Sequence, residues 1–260
     1  MPLENIHDEA KRVLDEASQR EITLKLFGGM AIFIRCSSAK RPPLQRSYVD
    51  IDVMGHSKQS NIIKKMFLDL GYSPRTKFNA MYGDRRLVFN DPEHERRVDV
   101  FLDVFEMCHK FDLKERLELD GRTIPPADLL ITKLQIVEIN EKDLKDLTCI
   151  LLDHEISDKD GDSINGAYVA RLCANDWGVY KTLTMNLDKL SSFVPGFQLG
   201  DGGTLAVSRI EELKKKIEDE PKSLRWKMRA RVGEKAAWYN LPEADKEVVD
   251  SRIPHGQSPK

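Results

Sequence analysis

Tyr48-Val49-Asp50-Ile51-Asp52-Val53-Met54-Gly55 is the stretch in which residue type and spacing speak most directly of chemistry. On a strand, residues two apart share a face, so Asp50 and Asp52 point one way while Val49, Ile51 and Val53 point into a core. Two carboxylates side by side on a half-buried strand repel each other and are costly to desolvate, and a divalent cation relieves both problems. Hard carboxylate oxygens, with the remaining positions left to phosphate and water, are what Mg²⁺ prefers. A second strand pattern, Val98-Asp99-Val100-Phe101-Leu102-Asp103, sets Asp99 and Asp103 opposite Val98, Val100 and Leu102. Paired beside the first strand, Asp99 joins Asp50 and Asp52. Three converging carboxylates can hold two metal ions roughly 3.5 to 4 Å apart, an arrangement suited to in-line displacement at phosphorus. Taken alone, Asp-x-Asp also describes an edge strand with a solvated face.

Upstream, Leu26-Phe27-Gly28-Gly29-Met30-Ala31-Ile32-Phe33 reads as a strand that ends in two glycines and turns into a helix. Paired glycines there let backbone approach a ligand, and the first amides of the helix can hold phosphate oxygens.

In this order, Gly28-Gly29, Asp50-x-Asp52 and Asp99 resemble the signature of the nucleotidyltransferases of the DNA polymerase β-like superfamily. Arg46 ahead of Asp50 is similar to the Arg-x-Thr-x-Asp-Ile-Asp variant of the AbiEii-type, toxin-like subgroup, with Tyr48 where that variant has Thr. Lys133-Leu134-Gln135 through Asn140-Glu141-Lys142-Asp143-Leu144-Lys145-Asp146 resembles that subgroup's Lys…Arg-x-x-(Lys/Arg)-Asp-x-x-Asp helix, with Asn140 near the usual Arg. The resemblance covers roughly residues 20 to 155. It implies a catalytic set of Asp50, Asp52, Asp99 and Lys133, the three aspartates also being the metal ligands, with two Mg²⁺ ions or Mn²⁺ as cofactor. It also implies nucleotide contacts from Gly28, Gly29, Arg46, Lys142, Asp143 and Asp146. The reaction would move a nucleoside monophosphate from an NTP to an acceptor hydroxyl, RNA or tRNA in a toxin-like member with an antitoxin partner. Lys133 and Lys142 would neutralise the triphosphate while Asp143 and Asp146 orient basic groups; read without the resemblance, the same charges describe an ordinary solvated helix face.

Two rival uses of Asp-x-Asp fit less well. A haloacid-dehalogenase-type phosphatase needs Thr or Ser where this chain has Met54, and a nucleotide-sugar glycosyltransferase usually follows a Rossmann-like half that the glycine pair does not signal. A small-molecule, antibiotic-type nucleotidyltransferase and a non-catalytic nucleotide- or RNA-binding module stand as alternatives; an intact set of three carboxylates speaks against the module.

These residues need elements to hold them. Ile22 to Phe27, Val49 to Met54, Leu87 to Asn90, Val98 to Val104 and Leu117 to Leu119 read as strands. Ser60 to Leu70, the segment opened by Pro125 and Pro126, and Lys142 to Leu152 carry apolar stripes at helical spacing. Beyond Asp158 helical patterns dominate: Ala167 to Cys173, Leu183 to Leu190 and Ser208 to Glu218. The expectation is an α+β fold: a nucleotidyltransferase-type mixed β-sheet flanked by helices over residues 1–155, then a mainly α-helical C-terminal domain over 156–260. Ser157 to Asp162 superficially suggests a calcium loop, but Ser163 and Val169 stand where its glycine and bidentate glutamate belong, so a polar turn is expected.

The 260 residues carry 41 Lys and Arg against 43 Asp and Glu, so no whole-chain field favours nucleic acid or a membrane surface. No apolar run approaches a membrane span and Met1 to Arg20 is polar, which fits a cytoplasmic protein. Cys36, Cys108, Cys149 and Cys173 show no metal or redox spacing and read as buried thiols. One local patch departs from neutrality: Pro221 to Asn240 interleaves Lys222, Arg225, Lys227, Arg229, Arg231 and Lys235 with Trp226, Trp238 and Tyr239. Cations among aromatics suit RNA, and equally suit a helix that packs its tryptophans on the core. A small hydroxylated acceptor would instead favour an acidic cleft.

Overall fold

The computed structural model describes residues 1–241; the last part of the expected C-terminal domain, 242–260, lies outside them. Asn5 opens helix α1 (Ile6–Gln19) by accepting from the His7 and Asp8 amides. Strand β1 (Leu24–Phe27) runs directly into α2 (Gly28–Arg35), with no residue between them. Then come β2 (Asp50–Gly55), α3 (Ser60–Asp69), β3 (Ser73–Pro74), α4 (Thr76–Tyr82), β4 (Arg86–Asn90) and β5 (Arg97–Leu102). The five strands make one mixed sheet in the order β1-β2-β5-β4-β3. Its central pair, β2 and β5, is parallel, and every other pairing is antiparallel. Alternation decides which side chains enter the core: Ile51 and Val53 of β2 and Val98 and Val100 of β5 are fully buried.

A small hairpin follows, β6 (Val104–Glu106) with β7 (Lys110–Asp112), and then α5 (Pro126–Leu134) and α6 (Glu141–Asp153). Pro126 stands in the first turn of α5, where its missing N–H leaves nothing unpaired. Two short parallel segments, β8 (Ile156–Ser157) and β9 (Ile164–Asn165), lead into α7 (Gly166–Asn175), α8 (Trp177–Phe193), α9 (Asp201–Asp219) and α10 (Leu224–Val232). The mixed sheet flanked by helices is therefore an α+β architecture followed by a helical section, as expected. One buried apolar cluster runs through both, from Ala10 of α1 to Ile217 of α9, while α10 buries none of its residues. All four cysteines are buried, and among the described residues none forms a disulfide. No helix among the described residues is long and apolar enough to cross a membrane.

Three local expectations fail, each for a physical reason. Leu117 to Leu119 is not a strand: Glu115–Glu118 forms a 3-10 turn in which the Leu117 amide donates to the Leu113 carbonyl. The free edge of β1 is taken instead by the next segment, where the Leu26 amide donates to Arg122 O and the Ile124 amide to Leu26 O. Val49 lies outside β2 and is 65% exposed, because pairing with β5 begins only at Asp50 opposite Arg97. Asp103 does not share a face with Asp99: the strand breaks there at a left-handed φ of 58°. The Asp103 carboxylate is held by His56 Nδ1 at 2.9 Å and accepts from the Ser57 amide at 3.2 Å. The polar turn after α6 is tied down by ion pairs, Asp160 to Arg116, Asp162 to Arg35 and Asp158 to Lys216.

Candidate active site

Sheet register brings the acidic residues together. In the parallel β2–β5 ladder Asp52 stands opposite Asp99, and Asp50 lies two residues before Asp52 on the same half-buried face. The chain arrives here through the β1–α2 turn, where Gly28 takes a φ of +64° that only glycine adopts cheaply. A Cβ on Gly28 would lie 2.3 Å from Asp52 Oδ2, so the glycine is what lets this carboxylate lie against the turn. Gly29 is as tightly placed, since its Cβ would meet the Arg46 guanidinium at 2.3 Å and the Tyr48 ring at 2.8 Å.

The electrostatics single out Asp52. Burial raises its pKa to about 7, the charges of Asp99 and Asp50 push the same way, and Lys133 and Arg97 oppose them. Asp99, 1% exposed, is handled differently. Its Oδ1 accepts from Arg86 Nε at 2.8 Å and from the terminal nitrogen of the same guanidinium at 2.6 Å. Arg97 Nε lies 2.6 Å from Oδ2, yet its N–H is not directed at that oxygen, and neither atom has a hydrogen bond among the described residues. Arg86 also stacks its guanidinium over the Phe101 ring at 4.6 Å.

Helix α6 supplies a second charged layer. Asn140 caps it, accepting from the Asp143 amide at 3.1 Å. Buried Asp146 makes a two-pronged pair with Arg46, accepting from Nε at 2.8 Å and from the terminal nitrogen at 2.6 Å. Lys133 Nζ of α5 lies 2.8 Å from Asp143 and 3.0 Å from Asp146. Burial works against this ammonium, but Asp146 and Asp143 outweigh it and hold its pKa above the ordinary lysine value. Arg46 lies over the Tyr48 ring at 4.1 Å, and the buried Tyr48 hydroxyl has no hydrogen-bond partner among the described residues. Lys142 is exposed on the first turn of α6.

The structure thus gathers Gly28, Gly29, Asp50, Asp52 and Asp99 at one end of the β2–β5 ladder, and Arg46, Lys133, Asp143 and Asp146 into one ion-pair network. The two groups meet through Lys133, which acts electrostatically on Asp52. Lys142 stands outside both. Among the described residues no three Asp, Glu, His or Cys side chains are drawn into a ready metal cage, because Asp99 is turned to its arginines. The donor set nonetheless suits a divalent cation: Asp52 carries more negative charge around it than its cations offset, and Asp99 retains an unbonded Oδ2. Arg86 and Arg97 are the residues that sequence reading missed. Arg97 alternates with Asp99 along β5 and was available as a signal; Arg86 reaches Asp99 only through the pairing of β4 with β5.

No protein-family profile and no curated protein matches the sequence. Among solved structures, the chain is similar to the lincosamide antibiotic adenylyltransferase LnuA in its lincomycin-bound form, at 15% identity over 55% of this chain and 94% of that one, TM-score 0.42. It is also similar to the antibiotic-resistance factor ANT(2'')-Ia in solution, at 14% identity over 54% of this chain and 79% of that one, TM-score 0.38. Likenesses this slight identify neither a substrate nor a reaction.

Proposed function

We propose that the chain is a metal-dependent nucleotidyltransferase that moves a nucleoside monophosphate from an NTP to an acceptor hydroxyl and releases pyrophosphate. The observation that carries this reading is the placement of Asp50 and Asp52 on one face of β2, with Asp99 in register beside them, against the Gly28-Gly29 turn. Asp50 and Asp52 would hold Mg²⁺ or Mn²⁺, and Asp99 would complete the set for a second ion once Arg97 swings from it. Bound there, such ions polarise phosphoryl oxygens and neutralise developing charge.

The protein's own groups have separable tasks. The first amides of α2, at the glycine turn, would take phosphate oxygens, and Arg97, half-exposed at 42%, would exchange its carboxylate for one of them. Lys133 stays charged between Asp143 and Asp146 and holds down the negative potential at Asp52. Arg46, locked by Asp146, fills the space above Gly29 and fixes the approach to the turn. Exposed Lys142 is the remaining candidate for the leaving phosphates. For an acceptor, an RNA hydroxyl is preferred over a small hydroxylated molecule, on the cationic aromatic surface of the C-terminal section.

Incubation with each labelled NTP, Mg²⁺ and either total RNA or a panel of hydroxylated small molecules tests the proposal. Label should appear on RNA and vanish in Asp50→Ala and Asp52→Ala. Transfer undiminished in those variants would sink the reading, and label confined to small molecules would move it to the antibiotic-type alternative.

A further inference from the structure

A second concavity lies away from the glycine turn, where the β6–β7 hairpin meets α8, α10 and the segment that follows α10. It encloses about 450 Å³, within the usual range for a small-ligand pocket. All three tryptophans of the chain, Trp177, Trp226 and Trp238, line it together with Tyr239.

The walls are held in place by polar contacts. Beyond α10 the chain turns back across the hairpin, and the Asn240 amide donates to Cys108 O at 2.9 Å. Arg229 donates to the carbonyls of Gly233, Ala236 and Ala237 and lies 4.6 Å over the Trp177 ring. Gly178 makes room for this crossing, since a Cβ there would lie 2.5 Å from Trp238 O. Trp238 is oriented by a relay: its Nε1 donates to Thr182 Oγ1 at 3.2 Å, and that hydroxyl lies 2.8 Å from His109 Nε2. Burial lowers the His109 pKa to about 4, so the imidazole in this relay is neutral.

Charge and the aromatic lining then indicate what the pocket takes. Lys110 and Arg225, both exposed at its rim, and Arg229 within it have no carboxylate partner among the described residues. Among the described residues its one carboxylate, Asp176, caps α8 by accepting from the Gly178 and Val179 amides. Lys110 and Arg225, exposed and without a carboxylate partner among the described residues, favour an anion. The Trp226 ring packs edge-on against Tyr180, with ring centroids 5.1 Å apart, and forms part of the aromatic wall. A flat group with an attached phosphate answers both: base against aromatic, phosphate against Arg225 and Lys110.

We propose that this pocket binds one nucleotide unit of a single-stranded RNA, with its base against Trp238 and Tyr239 and its phosphates on Arg225 and Lys110. Its contact path to the carboxylates is short: Arg86, which holds Asp99, also reaches Met107 Sδ at 3.9 Å, and the adjacent Cys108 lines the pocket. That path makes it an anchor for the acceptor strand, a role that rests on the transfer reading; the binding itself does not.

Fluorescence anisotropy of a labelled hexaribonucleotide on the full chain, in EDTA and without NTP, tests binding apart from catalysis. Trp238→Ala should weaken binding about tenfold or more, as the loss of one stacked base does. Arg225→Ala, an exposed change that leaves the fold alone, should flatten the log–log salt dependence by about 0.7 per lost phosphate contact. Asp50→Asn should bind like wild type, so failure of the transfer reading and failure of this one are distinguishable. Adenosine monophosphate should compete only at concentrations far above those of the hexamer; competition at similar concentrations would assign the site to a free nucleotide and overturn the strand. Absence of saturable binding, or unchanged binding in both the Trp238 and Arg225 variants, overturns it.

Discussion

Replacing Asp52 by Asn removes a carboxyl that folding makes harder to ionise. Burial, reinforced by Asp99 and Asp50, raises its pKa to about 7 from the ordinary aspartate value of 3.8, against the pull of Lys133 and Arg97. A shift of this size corresponds to about 4 kcal/mol if fully realised, since each unit is worth about 1.4 kcal/mol. Partial solvent contact at Asp52 reduces this to about 2 to 3 kcal/mol. The sign follows from linkage: the folded protein binds this proton more tightly than the unfolded chain. The penalty is therefore absent below about pH 4, grows as pH rises from 4 to 7, and is complete above 7. Urea unfolding in EDTA should show Asp52→Asn matching wild type near pH 4 and exceeding it by about 2 to 3 kcal/mol at pH 8. Adding Mg²⁺ at pH 8 should stabilise wild type and leave the variant unmoved, because only the carboxylate gains by the ion. A variant no more stable than wild type at pH 8 in EDTA would refute the claim that Asp52 is held under electrostatic strain.

Two further substitutions probe how the site is built. Gly28→Ala places a methyl group on the Asp52 carboxylate at a left-handed backbone position; it should lower stability by about 1 to 2 kcal/mol in urea and abolish the Mg²⁺-dependent gain. Preservation of that gain would show that Asp52 does not depend on the glycine turn. Asp146→Ala strips the carboxylate partner from half-buried Arg46 and one of two partners from the buried ammonium of Lys133, and unfolding should show a loss of about 3 kcal/mol or more. A loss under about 1 kcal/mol would mark the network as one of ordinary surface pairs.

How much of this could be read from the sequence depended on whether the determining contacts were local. Asp50 and Asp52 were legible because period-two alternation fixes their common face, and Gly28-Gly29 because a strand that meets a helix with no linker requires such a turn. The helices α3, α5 and α6 were legible from their apolar stripes. The failures were all matters of pairing. Leu117 to Leu119 has a strand's composition, but the edge of β1 went to Arg122–Ile124 farther along the chain. Val49 belongs to an alternating run yet stays exposed, because the run outlasts its partner. Asp103 follows the spacing of Asp99 but is captured by His56 and Ser57, residues 46 or more positions away. The clamp of Arg86 on Asp99 was invisible for the same reason, since it requires the register of β4 against β5.

Charge balance across the site leads to one more expectation. Five carboxylates, Asp50, Asp52, Asp99, Asp143 and Asp146, are linked to four cations, Arg46, Lys133, Arg86 and Arg97, by ion pairs or by their action on Asp52. One negative charge is left over, and the proton held on Asp52 near neutrality is where the imbalance shows. A divalent ion that displaces this proton does not restore neutrality; it overshoots by one positive charge. A triphosphate brings the anion that corrects the overshoot, so ion and nucleotide should bind cooperatively, each favouring the other by the same factor. In thermal denaturation at pH 8, Mg²⁺ alone and a non-hydrolysable NTP analogue alone should each give small shifts, and together a shift well beyond their sum. Strictly additive shifts, or equal stabilisation by the analogue in EDTA, would show that the nucleotide is held without reference to the carboxylates and would remove the electrostatic basis of the proposed transfer site.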